Sequence, residues 1–372
     1  MVITLHLLQN HAPSNLNRDD NNEPKDAIFG GARRARISSQ ALKRSIRWSE
    51  HFRQPFEKGG LGHLLAMRTQ LLPELVRERL ASVELADAEK QAIIEAAKRL
   101  GKSERAAGGA NADKVKTAQL MFLTAADVDR LVERLSAIVR EKGGAEALTS
   151  LKGDKLVAEI GAFEPHSVDI AMFGRMTTSS PFKDVEAAVQ VAHAISTHAV
   201  EMEFDFYTAV DDISGEAGAG FIGDTAFNSA TYYKYFSIDW EGLVKNLQGK
   251  ADIAATAVKA LLKAAMFAIP SGKQNSFAAH NLPDLALVEV RTEKVPLSYA
   301  NAFVKPVRAT SNLSLIEASA RALQEYIAAI NGMYKLQAQR AFLSSVPFEL
   351  EGAKRCNNLS ELLNWLLPGA NE

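Results

Sequence analysis

The residues best suited to chemistry lie between Asn15 and Trp48, in NLNRDDNNEPKDAIFGGARRARISSQALKRSIRW. From Ile28 to Trp48 there are six basic residues, Arg33, Arg34, Arg36, Lys43, Arg44 and Arg47, and no acidic one. The whole chain has a formal net charge of −1, so this is a local concentration against an even background. Such a concentration suits a polyanion, bound through a patch and not through the whole surface. A solvated basic helix face is the plainer alternative, but solvated faces normally mix signs.

Hydrolysis would call for other groups. Asp19-Asp20 and Asp211-Asp212 are the acidic pairs to weigh. Two-metal cleavage needs several carboxylates around ions about 4 Å apart, and neither pair has an obvious third ligand nearby in sequence. Asp19-Asp20, beside Arg18 and Lys25, reads as a loop pair ordering its basic neighbours. Asp211-Asp212 reads as the start of a hairpin tip, where aspartates favour turns. There is no P-loop, GxSxG, HExxH or cysteine–histidine nucleophile arrangement. Gly218-x-Gly220-x-x-Gly223 matches the dinucleotide fingerprint only formally, because β-type residues follow where a helix is required. No catalytic residue, metal ligand or cofactor is expected.

Periodicity suggests the elements that position the basic residues. Val2–Gln9 alternates as a strand, and His6 and His11 in or beside it read as packed or solvated. A polar loop over 11–27 carries Arg18 and Lys25, and Gly30-Gly31 permits a sharp turn. Ser38 or Ser39 can cap a helix from about Gln40 to His51. Leu42, Ile46, Ser49 and Phe52 repeat at helical spacing toward a core, which leaves Gln40, Lys43, Arg44 and Arg47 on the other side. The unpaired N–H groups of its first turn suit a phosphate.

Helices near 64–81, 87–100 and 127–142 read as an insertion over 56–160, with a small-residue loop at 101–114 and surface lysines at Lys152 and Lys155. His166–Met176 reads as a strand with Val168, Ile170 and Met172 on one face. It leads into a loop where Arg175, Met176 and Thr177 suit a phosphate and a base. A helix over 183–199 would hold His193 and His198 off-face from each other, so they are not a metal pair. Two β-rich runs within 201–235 flank SGEAGAGFIGD as a long hairpin. Next come a helix over 251–268 ending before Pro270, a loop at 271–275, and strands near 285–291 and 295–308. A helix over 313–330, a strand near 341–346 and a helix over 359–367 close the chain. The sum is an α+β domain with an antiparallel sheet.

The length of 372 residues allows one large domain with insertions, or two or three domains. Cys356 is the only cysteine, which excludes an internal disulfide and fits a reducing compartment. No signal peptide is read at the N-terminus, and no apolar run reaches about 18 residues without a charge. A soluble, cytoplasmic protein with no membrane partner is expected.

Seven segments, NLNRDD, KDAIFGG, RRARISSQALKR, VDIAMFGRMTTS, AHAISTH, DFYTAVDD and PLSYANAFVKPV, together resemble the CasC family. That family is the backbone subunit of the type I-E CRISPR surveillance complex Cascade. The segments stand in family order up to about Val307, while 56–160 and the residues beyond Val307 match loosely. The resemblance implies a palm built on a modified RNA-recognition-motif-like (ferredoxin-like) antiparallel sheet, from 1–55, 161–199 and 235–372. It implies helical fingers over 56–160 and a β-hairpin thumb over 200–234. Several copies would assemble head to tail along a CRISPR guide RNA, beside other Cascade subunits. Each thumb would kink the RNA, leaving the intervening bases to pair with a target DNA strand, and such proteins bind without cutting.

Carried over where motifs match, the RNA backbone would be held by Arg18, Lys25, Ser38, Gln40, Lys43, Arg44 and Arg47. Arg33 and Arg36 join them on the charge pattern. Met176, between Arg175 and Thr177, would frame a kinked nucleotide with Tyr207 and Thr208, and Lys273 and Gln274 would add contacts. The family's DNA-contacting lysines lie in the fingers, where this sequence departs, and are not carried over. The alternative is a metal-dependent endoribonuclease of the related type III backbone kind, cutting with a loop aspartate such as Asp20 or Asp26.

Overall fold

The computed structural model describes residues 1–100, 116–117, 119–151, 153–163, 167–176, 182–213 and 217–367. The loop expected at 101–114, Lys152 and Thr177 therefore lie outside the described residues. The chain forms two compact units: Met1–Pro55 with Val189–Glu241 and Ala255–Glu372, and Phe56–Ala188 with Gly242–Ala254.

In chain order the strands are β1 (Val2–Ser14), β2 (Asp26–Phe29), β3 (Ala32–Ile37), β4 (Met67–Thr69), β5 (Met121–Leu123), β6 (Val189–Val191), β7 (Ala194–Ser196), β8 (Glu203–Val210), β9 (Ala217–Asp239), β10 (Leu285–Arg291), β11 (Gln339–Ser344) and β12 (Ala353–Arg355). Ten of them form the sheet of the first unit, in the order β12-β11-β10-β1-β9-β7-β3-β2, with β6 and β8 also paired to β9. Every pairing is antiparallel except β11 with β12. This is the mixed α+β fold with an antiparallel-dominated sheet that the periodicity implies.

The centre of the sheet is β1, with β9 on one side and β10 on the other. Strand alternation sends Ile3, Leu5 and Leu7 to one face and Thr4, His6 and Leu8 to the other, and all six are buried. On the second face Leu8, Tyr233, Leu285, Leu287 and Phe342 pack with Tyr299, Phe303, and Leu323 and Ile327 of the helix Leu315–Tyr334. A capping box of Ser314 and Glu317 starts that helix.

The same face carries a buried polar group. Glu289 accepts hydrogen bonds from Arg291 (2.9 Å), Tyr299 (3.0 Å) and Arg340 (2.5 Å). His6 Nδ1 lies 2.8 Å from the Tyr233 hydroxyl. Burial pushes the Glu289 carboxyl up, but the His6 hydrogen bond and the charges of His6, Arg291 and Arg340 outweigh it and hold it at about 2. Burial, the largest influence on His6, lowers its imidazole, while Arg291 and Arg340 pair directly with the Glu289 carboxylate.

The second unit is mainly helical. Helices Leu72–Leu80, Asp87–Leu100 and Ala125–Lys142 bury Leu72, Val76, Ile93, Leu131 and Leu135 together. A Thr124–Asp127 capping box opens the last of these, and Gly143 at φ 102° closes it. No helix among the described residues is long and apolar enough to cross a membrane.

Four expected elements differ. The helix near 64–81 begins only at Leu72, with Pro73 in its first turn, because β4 precedes it and pairs with β5. The strand at His166–Met176 is instead a helix, Val168–Phe173, capped by Ser167. All of Val168–Met172 is buried, so the alternation carried no information about which face was covered. The helix over 183–199 is replaced by β6 and β7, which find partners on β9. The strand over 295–308 is absent; the only regular turn there is the short helix Ala300–Phe303, between Pro296 and Pro306, which lack N–H groups for a ladder. In the hairpin, Ala217 pairs with Val210, so much of the glycine-rich run belongs to β9 and not to the tip.

Candidate nucleic-acid interface

The loop after β1 is tied down by its own polar side chains. Asn15 Nδ2 donates to the carbonyls of Asn22 and Ala226, each at 2.9 Å. Asn17 Oδ1 accepts the Ser38 N–H at 2.8 Å, joining the loop to the start of the basic helix. Asp19 Oδ1 accepts the N–H groups of Asn21 (2.9 Å) and Glu23 (3.0 Å). Asp19 thus orders backbone amides, where the sequence suggested basic neighbours. Arg18 reaches solvent, and neither it nor Lys25 has an acidic partner among the described residues.

The hairpin β2–β3 turns at Gly30-Gly31, with φ of 59° and 75°. Gly30 cannot be replaced cheaply: a Cβ there would lie 1.8 Å from the Val304 carbonyl oxygen. The three arginines of β3 have separate roles. Arg33 is exposed and pairs with Asp26 at 3.1 Å. Arg34 is fully buried and donates to four carbonyls: Phe29 (3.3 Å), Ser196 (3.1 Å), Phe303 (2.8 Å) and Val304 (3.1 Å). Arg36 donates to the Asp26 carbonyl at 2.9 Å, and its Nη1 lies 3.2 Å from His193 Nδ1.

Ser38 caps the basic helix, which runs Ser39–Trp48, by accepting the Ala41 N–H at 3.3 Å. Leu42 and Ile46 face inward as their spacing requires, and Gln40 and Arg44 are exposed. Lys43 and Arg47 are half-exposed. Ser49 ends the helix with an extended backbone, and Phe52 is buried in the next helix, Glu50–Lys58. Trp48 is 64% exposed, with the guanidiniums of Arg44 and Arg53 at 5.9 and 5.8 Å from its ring.

The loop after the helix Ala251–Phe267 completes the site. A Cβ on Gly272 would sit 2.4 Å from the Leu16 carbonyl oxygen, so only glycine lets the two loops close on each other. Between them and the basic helix lies an open groove of about 790 Å³ lined by residues that include Arg18, Asn17, Arg44, Ser45, Trp48 and Gly272. Lys273 adopts a left-handed conformation (φ 49°), and Gln274 donates to the Pro270 carbonyl at 3.3 Å.

The remaining candidates lie elsewhere. Met176, in the second unit, is 92% exposed. Its neighbour Arg175 is turned inward, a correction to its expected exposure: it ion-pairs with Asp127 at 3.7 Å and donates to the carbonyls of Lys183 and Phe122. Burial lowers its guanidinium and Asp127 opposes that shift. Tyr207 and Thr208 lie on β8, which is exposed along its whole length. Among the described residues no group of three or more His, Cys, Asp or Glu could hold a metal ion. His193 stands beside Arg36, a neighbour that a helix over 183–199 cannot supply, because β6 and β7 on either side of it exist through pairing with β9.

The fold and the motifs have counterparts among known proteins. No curated protein matches the chain. A solved chain described as "CRISPR RNA-guided surveillance complex, pre-nicking" is 27% identical over the whole of both chains, with a TM-score of 0.82. A second, described as "CRISPR RNA-guided surveillance complex", shares the fold at 23% identity and a TM-score of 0.72, over 98% of this chain and 99% of that one. The family model "CT1975-like protein" matches residues 3–365. With nearly the entire length accounted for, the chain belongs to the CT1975-like, CasC-like family of CRISPR backbone subunits.

Proposed function

We propose that this protein binds CRISPR guide RNA through its phosphates and forms the backbone of a type I-E Cascade complex, without cutting the RNA. The observation that carries this is the set of cations Arg18, Lys25, Arg36 and Arg44, none with an acidic partner among the described residues. Arg18 and Arg44 line the groove beside the basic helix, and Lys25 and Arg36 are joined backbone to backbone on the hairpin that leads into its capped start. Phosphate contacts carry no sequence information, which suits a subunit that must accept any guide. Base edges stay open for pairing.

In this reading the sheet unit is the palm, a modified RNA-recognition motif, 56–160 supplies fingers and the β8–β9 hairpin is the thumb. Phe204, Phe206 and Val210 are all more than half exposed on alternate positions of β8, which supports contact between successive copies along the RNA. Such a head-to-tail contact does not close, and so tracks a strand. Target DNA meets the complex through the guide. The test is binding of a long labelled single-stranded RNA across a salt series, with and without Mg²⁺, followed by a denaturing gel. Salt-sensitive, sequence-tolerant binding with intact RNA is the expected result. Metal-dependent fragments lost on Asp20→Ala or Asp26→Ala would overturn the non-catalytic role.

A further inference from the structure

His193 lies in the short connection between β6 and β7, exposed, with its Nδ1 3.2 Å from Arg36 Nη1. β3 and β7 pair with Arg36 opposite Ile195, so His193, two residues before Ile195, comes diagonally next to the arginine. Lys25 joins from the other strand edge: its carbonyl accepts the Arg36 N–H at 2.8 Å, and its charge acts on His193. Asp26, whose carbonyl holds Arg36 Nε, has its carboxylate engaged by Arg33. Three potential cations thus converge with no carboxylate among them.

We propose that Lys25, Arg36 and His193 form one phosphodiester subsite, in which His193 takes up a proton as the RNA phosphate arrives. This rests on the RNA-binding reading above. In the free protein the Nδ1 facing Arg36 is the acceptor, since a protonated nitrogen would meet a guanidinium N–H. Burial, then Arg36, then Lys25 lower the imidazole, and no acidic group raises it. A phosphate anion placed among the three reverses the balance, because an opposite charge favours the protonated ring. No covalent step is involved; one proton moves from solvent to the ring.

The sign follows. The free pKa is depressed and the bound one raised, so affinity grows as pH falls through the bound pKa and levels off below the free one. Each unit of difference is worth about tenfold in affinity. The experiment measures the dissociation constant for a labelled single-stranded RNA from pH 8 to pH 5.5 at fixed salt, for the full chain, His193→Gln and His193→Arg. The unaltered protein should tighten by roughly tenfold or more on acidification, and His193→Gln should lose most of that gain. His193→Arg should bind more tightly at pH 8, with a salt slope steeper by about 0.7. Identical pH profiles for the unaltered protein and His193→Gln, with RNA still bound, would overturn the subsite and leave the RNA-binding reading intact. Failure of all three to bind RNA would overturn both.

Discussion

Replacing Arg34 by methionine keeps the aliphatic stem of the side chain and removes all of its donors. Two of its bonds, to the carbonyls of Ser196 (3.1 Å) and Phe303 (2.8 Å), are fully buried and would be left unmade. An orphaned buried acceptor costs about 1–3 kcal/mol, so the sheet unit should lose roughly 4 kcal/mol and melt about 10 °C lower. Arg36→Gln should leave the melting temperature within about 2 °C, because its guanidinium is only half-buried. It should instead lower the salt slope of RNA binding by about 0.7. Between about 50 and 200 mM salt its affinity would then fall by about 2.6-fold less than that of the unaltered protein. Arg33→Gln should have the smaller slope effect, since Asp26 already holds Arg33 at 3.1 Å. Differential scanning fluorimetry and fluorescence anisotropy across a salt series read the two quantities separately. A normal melt for Arg34→Met, or a destabilised Arg36→Gln with its slope intact, would refute the division of roles.

Gly272→Ala should force the loops at 15–16 and 271–274 apart, costing about 1–3 kcal/mol, and weaken RNA binding more than Gly31→Ala, whose Cβ would meet nothing within 4 Å. Glu289, normally near 4.5 but held at about 2, contributes stability that is present above pH 4.5 and lost as pH falls toward 2. Glu289→Gln should flatten the melting temperature against pH in that window, and at neutral pH cost about 3–5 kcal/mol by stranding Arg291 and Arg340. In the helical unit, Arg175→Met should cost about 3–5 kcal/mol, since it strands buried Asp127. Met176→Ala should leave the melt unchanged within about 1 °C; equal effects on thermal unfolding would contradict the inward placement of Arg175.

Where local signals agreed, the sequence was readable. Ser38, Leu42 and Ile46 say cap, core and core in one register, and the helix Ser39–Trp48 follows. β1, β10 and the helix Leu315–Tyr334 were legible for the same reason. The segment 183–199 failed because β6 and β7 are each three residues long and exist only through pairing with β9. A window of one sequence cannot contain that partner. Val168–Phe173 failed differently: a helix buried on every side shows neither period. At the site, the basic residues are not equivalent. Arg34 and Arg175 carry the same formal charge as Arg36, but their carbonyl and carboxylate partners lie far away in the chain. The join between the loops at 15–26 and 270–274 rests on Gly272, whose need is visible only once Leu16 is beside it.

The position of β1 at the centre of the sheet has a consequence for synthesis. Its two neighbours, β9 and β10, begin at Ala217 and Leu285. At about 5–20 residues per second, the ribosome delivers the first of them roughly 10–40 s after β1 is complete. The helical core gathers residues from Leu72 to Phe182 and is finished within that interval. Nascent chains arrested just short of residue 217 should therefore protect that core from protease while leaving β1 open to cutting. Protection of β1 at that length would mean it finds a temporary partner. Until then an apolar strand waits unpaired, a natural client for a chaperone that holds extended segments.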